Sequence, residues 1–361
     1  MFAYVIRRLL LIVPTLIGIM LINFVVTNMA PGGPIDQMIA RLQSERPGSQ
    51  SSARDRAGAG EGSDVQSGQS RGARGLDPAL LEKLRKQLDL DKPLGERFLL
   101  MMGKYASLDF GESFFQNRSV IDLVIDKLPV SISLGVWTTL IMYLLSIPLG
   151  IRKAVRDGTR FDIYTSGLVV IGNAIPSFMF GVLLIILFAS GNFLDIFPLR
   201  GLTSDDWDQL SILGKVGDYL WHITLPVTAL VISGFAYLTL LTKNSFLEEI
   251  NKQYVTTARA KGLAPRRVLY GHVFRNAMLL IIASFPAALI EMLFTGSFLI
   301  EVMFSLDGIG RLGYESVINR DYPVLFGTLF MFSLLALVLR LVTDLTYAFV
   351  DPRIDFGSRE V

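Results

Sequence analysis

Long apolar stretches alternate with short polar segments along most of this chain. Each apolar stretch is roughly 20 or more residues, long enough to cross a hydrocarbon core of about 30 Å as a helix. The six stretches cover residues 9–29, 132–151, 163–190, 221–242, 277–299 and 323–350. Six such helices are too many for the buried core of a soluble domain. The pattern therefore predicts an all-α integral membrane protein with six transmembrane helices.

These spans imply a division of the chain into regions of different character. We expect a first transmembrane helix at 1–30, an extramembrane segment at 31–130, a core of five further helices at 131–350 and a tail at 351–361.

The segment at 31–130 is uneven in composition. Residues 43–75 are dominated by Ser, Gly, Arg and Gln, with Val65 as the only large aliphatic side chain. Such a stretch buries too little apolar surface to offset ordering, so we expect a disordered insert there. Residues 76–128 show the spacing of short helices, which we place at 79–88, 94–105 and 120–128. We therefore expect a small helical element outside the membrane after the first span.

The lysines and arginines of the short loops are divided unequally between the two sides. One side carries Arg7, Arg8, Arg152, Lys153, Arg156 and Arg160. The other side carries only Arg200, Lys215, Arg311 and Arg320 in its short loops. Cytoplasmic loops carry the excess of positive charge, so both termini should be cytoplasmic and the segment at 31–130 should lie outside.

The segment at 244–275 is polar, basic and periodic. Together with Lys243 it carries seven Lys and Arg residues against two acids, which places it on the cytoplasmic side. Apolar residues recur every fourth position from Phe246 to Ala258, which predicts one amphipathic helix. Gly262 suits the left-handed residue that ends this helix, and Pro265 suits the first turn of the next. A helix-turn-helix outside the bilayer favours docking of a soluble partner, with an amphipathic helix lying at the membrane interface as the alternative.

Composition and short motifs exclude several kinds of chemistry. The net charge of +2 gives no sign of nucleic-acid binding, and the absence of cysteine excludes disulfides. His222 and His272 are isolated and form no metal-ligand pattern. The GxGxxG match at 308–313 follows a membrane helix, and the GxSxG match at 68–72 falls in the insert, so we regard both as accidental. Without a GxxxxGK[ST] motif, ATP would be bound by another subunit.

Three residues within the spans are candidates for a translocation path. Glu291 is an ionisable group well inside the fifth span, where charge is costly. Asn173 and Ser177 flank the helix breaker Pro176 in the third span, which is a candidate gate. The alternative is that Glu291 faces a neighbouring subunit or a water-filled cavity as a structural contact, and that Pro176 forms a simple kink.

The cytoplasmic segment resembles a known family motif. Thr256, Thr257 and Ala258 precede Gly262 by the spacing of the EAA motif of bacterial ABC importer permeases, whose pattern reads E-A-A, three residues, G, nine residues and I-x-L-P. The chain keeps Ala258 and Gly262 but departs from that pattern at the other positions, which are Thr256, Thr257, His272, Phe274 and Arg275. The version TARAKGL with HVFRNA is similar to the dipeptide/oligopeptide branch. The same holds for the segments APGGP, LPVSISLG, FGTLFMF and VDPR, so the resemblance covers nearly the whole chain outside 43–75.

The resemblance implies a type I ABC importer permease fold in the bacterial inner membrane. This chain would pair with a second homologous permease, and ATP and magnesium would bind a partner ATPase, so the chain would not itself be an enzyme. A periplasmic peptide-binding protein would deliver oligopeptides, murein peptides or peptide-nucleotides of the microcin C type. The residues expected to contact the ATPase and to couple its movement are Tyr254, Val255, Thr257, Ala258, Arg259, Lys261 and Gly262.

Two other classes of protein remain as alternatives. An ion-coupled secondary transporter would use Glu291, but it would usually show an internal repeat that this sequence lacks. A membrane scaffold for the outer element would need only anchoring helices and no docking segment.

Overall fold

The computed structural model describes residues 2–29, 92–189, 191, 193–294 and 298–350. The insert predicted at 43–75, the helix predicted at 79–88 and the tail lie outside these residues. In the described part β-structure is limited to one bridge between Glu112 and Ser119. The helices are α1 (Phe2–Met29), α2 (Leu94–Ala106), α3 (Val120–Val155), α4 (Arg160–Ala174), α5 (Ser177–Phe188), α6 (Ile212–Ile250), α7 (Gln253–Ala260), α8 (Pro265–Val268), α9 (Phe274–Phe294), α10 (Phe298–Met303), α11 (Ile309–Ile318) and α12 (Tyr322–Val350). A π-helical turn, Leu269–Val273, joins α8 to α9.

The membrane-crossing helices agree in number with the sequence prediction. Five helical segments are individually long and apolar enough to cross a bilayer, and the bent pair α4 and α5 supplies a sixth if it crosses once. The helix predicted at 94–105 is present as α2. The helix predicted at 120–128 is not separate, because it continues through Pro129 into the second span as α3. A proline removes one backbone donor, and the remaining intrahelical bonds keep the rest of the backbone satisfied.

The third span departs most from its prediction. A single helix at 163–190 is wrong, because α4 and α5 meet at an angle of 94°. Ile175 is extended, with ψ of 122°, and Pro176 follows at the start of α5. The residue before a proline is pushed out of the helical region by the ring, which explains why the break falls at this dipeptide.

The described residues divide into two compact units, whose bounds also enclose residues outside the described part. The larger unit contains Met1–Ile12, Asp122–Glu315 and Phe332–Val361. It has one apolar cluster in which α3 and α6 pack with the 253–281 region, and a second in which α3 and α6 pack with α5 and α10. A close helix contact supports the first cluster, because a Cβ on Gly150 would lie 2.5 Å from Thr242 Cβ.

The smaller unit contains Val13–Ile121 and Ser316–Met331. Its core is aromatic, with Phe110, Tyr105 and Phe330 packed at ring-centroid distances of 4.9–5.7 Å. A buried hydrogen bond of 2.5 Å from Ser113 Oγ to Asp321 Oδ2 adds a polar tie.

Candidate functional site

The basic segment at 244–275 forms two helices where the sequence predicts one. The predicted amphipathic helix from Phe246 to Ala258 is wrong, because α6 continues to Ile250 and α7 begins at Gln253. Lys252 is extended between them, with ψ of 151°. Phe246 therefore belongs to the end of a membrane helix, where it is fully buried.

Glycine ends α7 as the sequence predicts. Gly262 has φ of +81°, which is in the left-handed region. Its N–H donates to Arg259 O at 2.9 Å, and the N–H of Leu263 reaches back to Ala258 O at 3.4 Å. This pair of bonds is the Schellman arrangement, which satisfies carbonyls at a helix end. Pro265 then occupies the first turn of α8, as expected.

The inward side of α7 is part of the protein core. Val255 is 1% exposed and Ala258 is 7% exposed, and both pack in the cluster that includes Phe246 and Ile281. Tyr254 is partly buried against the same cluster. These three residues therefore contact the chain's own helices, whereas the sequence pattern had placed their apolar stripe against a partner.

The outward side of α7 is polar and basic. Among the coupling residues expected from the sequence, Thr257, Arg259, Lys261 and Gly262 are exposed. The adjoining surface contains a shallow open depression of about 460 Å³ lined by Ala264, Arg266, Arg267 and Tyr270. We call the exposed residues of 256–270 the outer face of the segment. It combines a short helix with a surface rich in positive charge.

The segment is fastened to the membrane helices by short contacts. Ser245 Oγ, on α6, donates to Ala277 O on α9 at 2.7 Å. The rings of Phe246 and Phe274 meet edge-on with centroids 5.9 Å apart. The end of α6 that leads into α7 is therefore packed closely against α9.

A network of four charges lies at the ends of α3, α4 and α6. Lys153 is fully buried and its Nζ lies 3.0 Å from Asp162 Oδ1. Lys243 Nζ lies 2.7 Å from Asp162 Oδ2 and 2.8 Å from Asp157. Lys153 also donates to Thr165 Oγ1 and Ser166 Oγ. From sequence Lys153 is a topology charge only, because nothing in its spacing shows that it is buried.

The residues proposed for a translocation path divide between two places. Asn173 is exposed in the last turn of α4, and Ser177 begins α5, so both flank the 94° bend. Glu291 belongs to α9, and its side chain lies outside the described part of the structure. Pro226 lies within α6 and does not interrupt that helix.

A buried carboxylate that the sequence argument missed lies between α3 and the α10–α11 turn. Glu301 is fully buried and accepts from Ser131 Oγ at 2.8 Å and from the N–H of Arg311 at 2.9 Å. Ser131 Oγ in turn accepts from the N–H of Ile309 at 2.9 Å. The glycines of the 308–313 motif allow this approach, since a Cβ on Gly308 would lie 2.5 Å from the Glu301 carboxylate. The motif is therefore structural.

Comparison with known proteins identifies the class of protein. Residues 146–356 match the family described as binding-protein-dependent transport system inner membrane component. The chain belongs to this family. It is a multi-pass permease subunit of the inner membrane, and ATP hydrolysis belongs to separate subunits. Membership confirms the resemblance drawn from the EAA-like spacing and decides against the secondary transporter and the scaffold.

Three relatives match the chain along its length. The peptidoglycan transport system permease protein YejB of Agrobacterium fabrum is 60% identical, covering 99% of this chain and 100% of that protein. The inner membrane ABC transporter permease protein YejB of Escherichia coli O157:H7 is 55% identical over the same shares. The oligopeptide transport system permease protein AppB of Bacillus subtilis is 31% identical, again over 99% and 100%.

A solved structure supports the fold. A chain from an inward-facing structure of the MetNI methionine ABC transporter aligns with a TM-score of 0.51 at 16% identity. The alignment covers 64% of this chain and 97% of that chain. The predicted ABC importer permease fold is thereby confirmed.

Within the described residues no group of three or more histidines and acids lies together as a metal site would require.

Proposed function

We propose that this chain is one permease of a Yej-type, ATP-driven importer that carries peptides into the cytoplasm. The relatives named for peptidoglycan and oligopeptide transport match over 99% of the chain, which supports a peptide cargo. Murein-derived peptides, other oligopeptides and peptide-nucleotides of the microcin C type form the expected cargo class. Such molecules share a peptide backbone that polar groups on the path can hydrogen-bond.

The chain works within a four-component assembly. A second homologous permease completes the path, an ABC ATPase binds ATP and magnesium, and a periplasmic binding protein delivers the peptide. Both termini and the 244–275 segment face the cytoplasm, as the distribution of lysine and arginine indicates. The segment at 31–130 faces the binding protein.

Coupling runs through α7, and its two sides have different roles. Thr257, Arg259 and Lys261 on the outer face contact the ATPase, and the positive charge of Arg259 and Lys261 favours an acidic groove. Val255 and Ala258 transmit the movement, because they pack against membrane helices. Gly262 provides the turn into α8. Closure of the ATPase thus shifts the spans as a rigid-body switch, with no covalent chemistry in this chain.

The bend between α4 and α5 lines the translocation path in this proposal. A broken helix at membrane depth leaves backbone groups without intrahelical partners, and such groups are tolerated where protein or a water-filled cavity satisfies them. Asn173 is exposed beside this break, and Ser177 follows it. Glu291 on α9 is the third proposed residue of the path.

The observation that carries the proposal is the docking geometry of α7, which has a buried apolar side and an exposed basic side in a full-length match to importer permeases. The test is to express the tagged chain with its genomic partners, purify the complex and reconstitute it in liposomes. We expect a stoichiometric ATPase and ATP-dependent uptake of radiolabelled tri-alanine or murein tetrapeptide. A complex that retains the ATPase but moves neither peptide would refute the cargo, and a chain that purifies without an ATPase would refute the importer.

A further inference from the structure

Glu249 occupies a junction that neither the family motif nor the mechanism above explains. It lies in the last turn of α6, where its side chain is only 12% exposed. The neighbouring Glu248 has a side chain that is 77% exposed. Two adjacent glutamates therefore have opposite environments, and the buried one faces the coupling helix.

The carboxylate of Glu249, on α6, contacts groups of the following turn and of α7. Tyr254 Oη, on α7, donates to Glu249 Oε2 at 2.7 Å. Lys252 Nζ, in the turn before α7, forms an ion pair with Glu249 Oε1. Ser245, one turn earlier on α6, donates to Ala277 O on α9 at 2.7 Å. Glu249 therefore joins α6, the turn and α7 directly, and α9 is held to the same end of α6.

The pKa values of Lys252 and Tyr254, the two partners of Glu249, are both raised in this arrangement. The hydrogen bond to Glu249 raises the pKa of Lys252, which keeps the ammonium charged. Burial, followed by the bond to Glu249, raises the pKa of Tyr254, so its hydroxyl remains a donor at neutral pH. Hydrogen bonds to an ionised acceptor are shorter and stronger than neutral ones, so the junction is stiff.

We infer that Glu249 is a positioning residue that locks α7 to the end of α6, which is itself held to α9, so that movement of the ATPase is delivered to both membrane helices together. This inference rests on the proposed function, and it concerns a residue that contacts neither peptide nor ATPase. Without the carboxylate, α7 keeps its outer face and still docks. The turn between α6 and α7 is then mobile, so movement of α7 does not reach the membrane helices. ATP is hydrolysed without transport of peptide.

The test uses the complete reconstituted complex and three substitutions at two adjacent positions. Glu249→Ala removes the acceptor, Glu249→Gln keeps its size with a single acceptor oxygen, and Glu248→Ala is the matched exposed control. We measure tri-alanine moved per ATP hydrolysed. The ratio should fall about tenfold in Glu249→Ala, as expected for losing hydrogen bonds to a charged group, while ATPase content and basal hydrolysis persist. The ratio in Glu249→Gln should lie between those of Glu249→Ala and the wild type, and the ratio in Glu248→Ala should equal the wild-type ratio.

A second readout detects positioning without transport. The native chain has no cysteine, so a cysteine replacing the buried Val255 reports access to α7 through its rate of alkylation by N-ethylmaleimide. Glu249→Gln in the Val255→Cys background should raise that rate about tenfold, since α7 then opens locally more often. Tyr254→Phe combined with Glu249→Ala should add little, because both changes remove the hydrogen bond between Tyr254 and Glu249.

Each outcome is decisive. Equal transport ratios and labelling rates in Glu249→Gln and Glu248→Ala would overturn the inference even if uptake is robust. If the Glu249→Ala protein does not accumulate, the transport ratio and the labelling rate are measured in Glu249→Gln and Tyr254→Phe instead. Those two values then decide whether Glu249 positions α7. A wild-type complex without ATP-dependent uptake would refute the proposed function, and the labelling rate of the cysteine at 255 would still decide whether Glu249 positions α7.

Discussion

Replacement of Gly308 by alanine would press a methyl group against a buried carboxylate. An ideal Cβ at this position lies 2.5 Å from both Cδ and Oε2 of Glu301 and 2.7 Å from Oε1. Because non-bonded carbon atoms settle at about 3.5–4.0 Å, the overlap is roughly 1 Å or more. Either Glu301 or the backbone of the α10–α11 turn must move.

Neither movement is free of cost. Glu301 is fully buried and holds hydrogen bonds from Ser131 and from the N–H of Arg311, so a retreat breaks at least one of them. A hydrogen bond to a charged group contributes about 1.5–3 kcal/mol, and overpacking that shifts backbone costs about 1–3 kcal/mol. We therefore expect Gly308→Ala to destabilise the protein by about 2–4 kcal/mol.

The assay is thermal unfolding of the purified, detergent-solubilised complex, followed by tryptophan fluorescence. Gly313→Ala is the matched control, since it changes the last glycine of the same motif where nothing lies within 4 Å of the new Cβ. This control sits within α11, where alanine exceeds glycine in helix propensity by about 1 kcal/mol, so its Tm should stay or rise slightly. Equal Tm values for the two variants would refute the packing argument.

Two further substitutions test the coupling segment and the charge network. Gly262→Val should lower the free energy of unfolding by about 1–2 kcal/mol, because φ is +81° at that turn and a β-branched residue is strained there. The amount of peptide moved per ATP in liposomes should fall as well. A variant as active as the wild type would contradict the role of the turn. Lys153→Met should lower the free energy of unfolding by about 3–5 kcal/mol, because it leaves the buried Asp162 with fewer cations. The amount of folded complex in membranes should therefore fall. Asp157→Asn, at the more exposed end of the network, should change that amount little.

The sequence predicts this fold well where its patterns are long. Five of the six long apolar runs correspond to helices long and apolar enough to cross a bilayer. The left-handed turn at Gly262 follows from the freedom of glycine to adopt positive φ. The prediction fails where tertiary packing decides between local options. Pro129 and Pro226 continue their helices while Pro176 ends one, and local sequence does not distinguish the three.

The proposed docking segment stays a prediction, and the structure shows what its apolar residues contact. The fourfold spacing from Phe246 to Ala258 picks out residues of two helices, and these residues pack in the chain's own core. A period in sequence gives the face of a helix and leaves open what covers that face. Buried charges such as Lys153, Glu249 and Glu301 were missed because burial of a polar residue depends on partners distant in sequence.

The central claim is that the outer face of α7 docks on an ATPase, and one cross-link tests it most directly. In the complete complex, a cysteine replacing the exposed Thr257 is treated with a short photoactivatable cross-linker, and a cysteine replacing the buried Val255 serves as the control. The account predicts an adduct between this chain and the ATPase from position 257 and none from position 255. An ATPase adduct formed equally at both positions would contradict this prediction. So would the absence of an adduct at both positions together with reaction of position 257 with an impermeant reagent added from the periplasmic side.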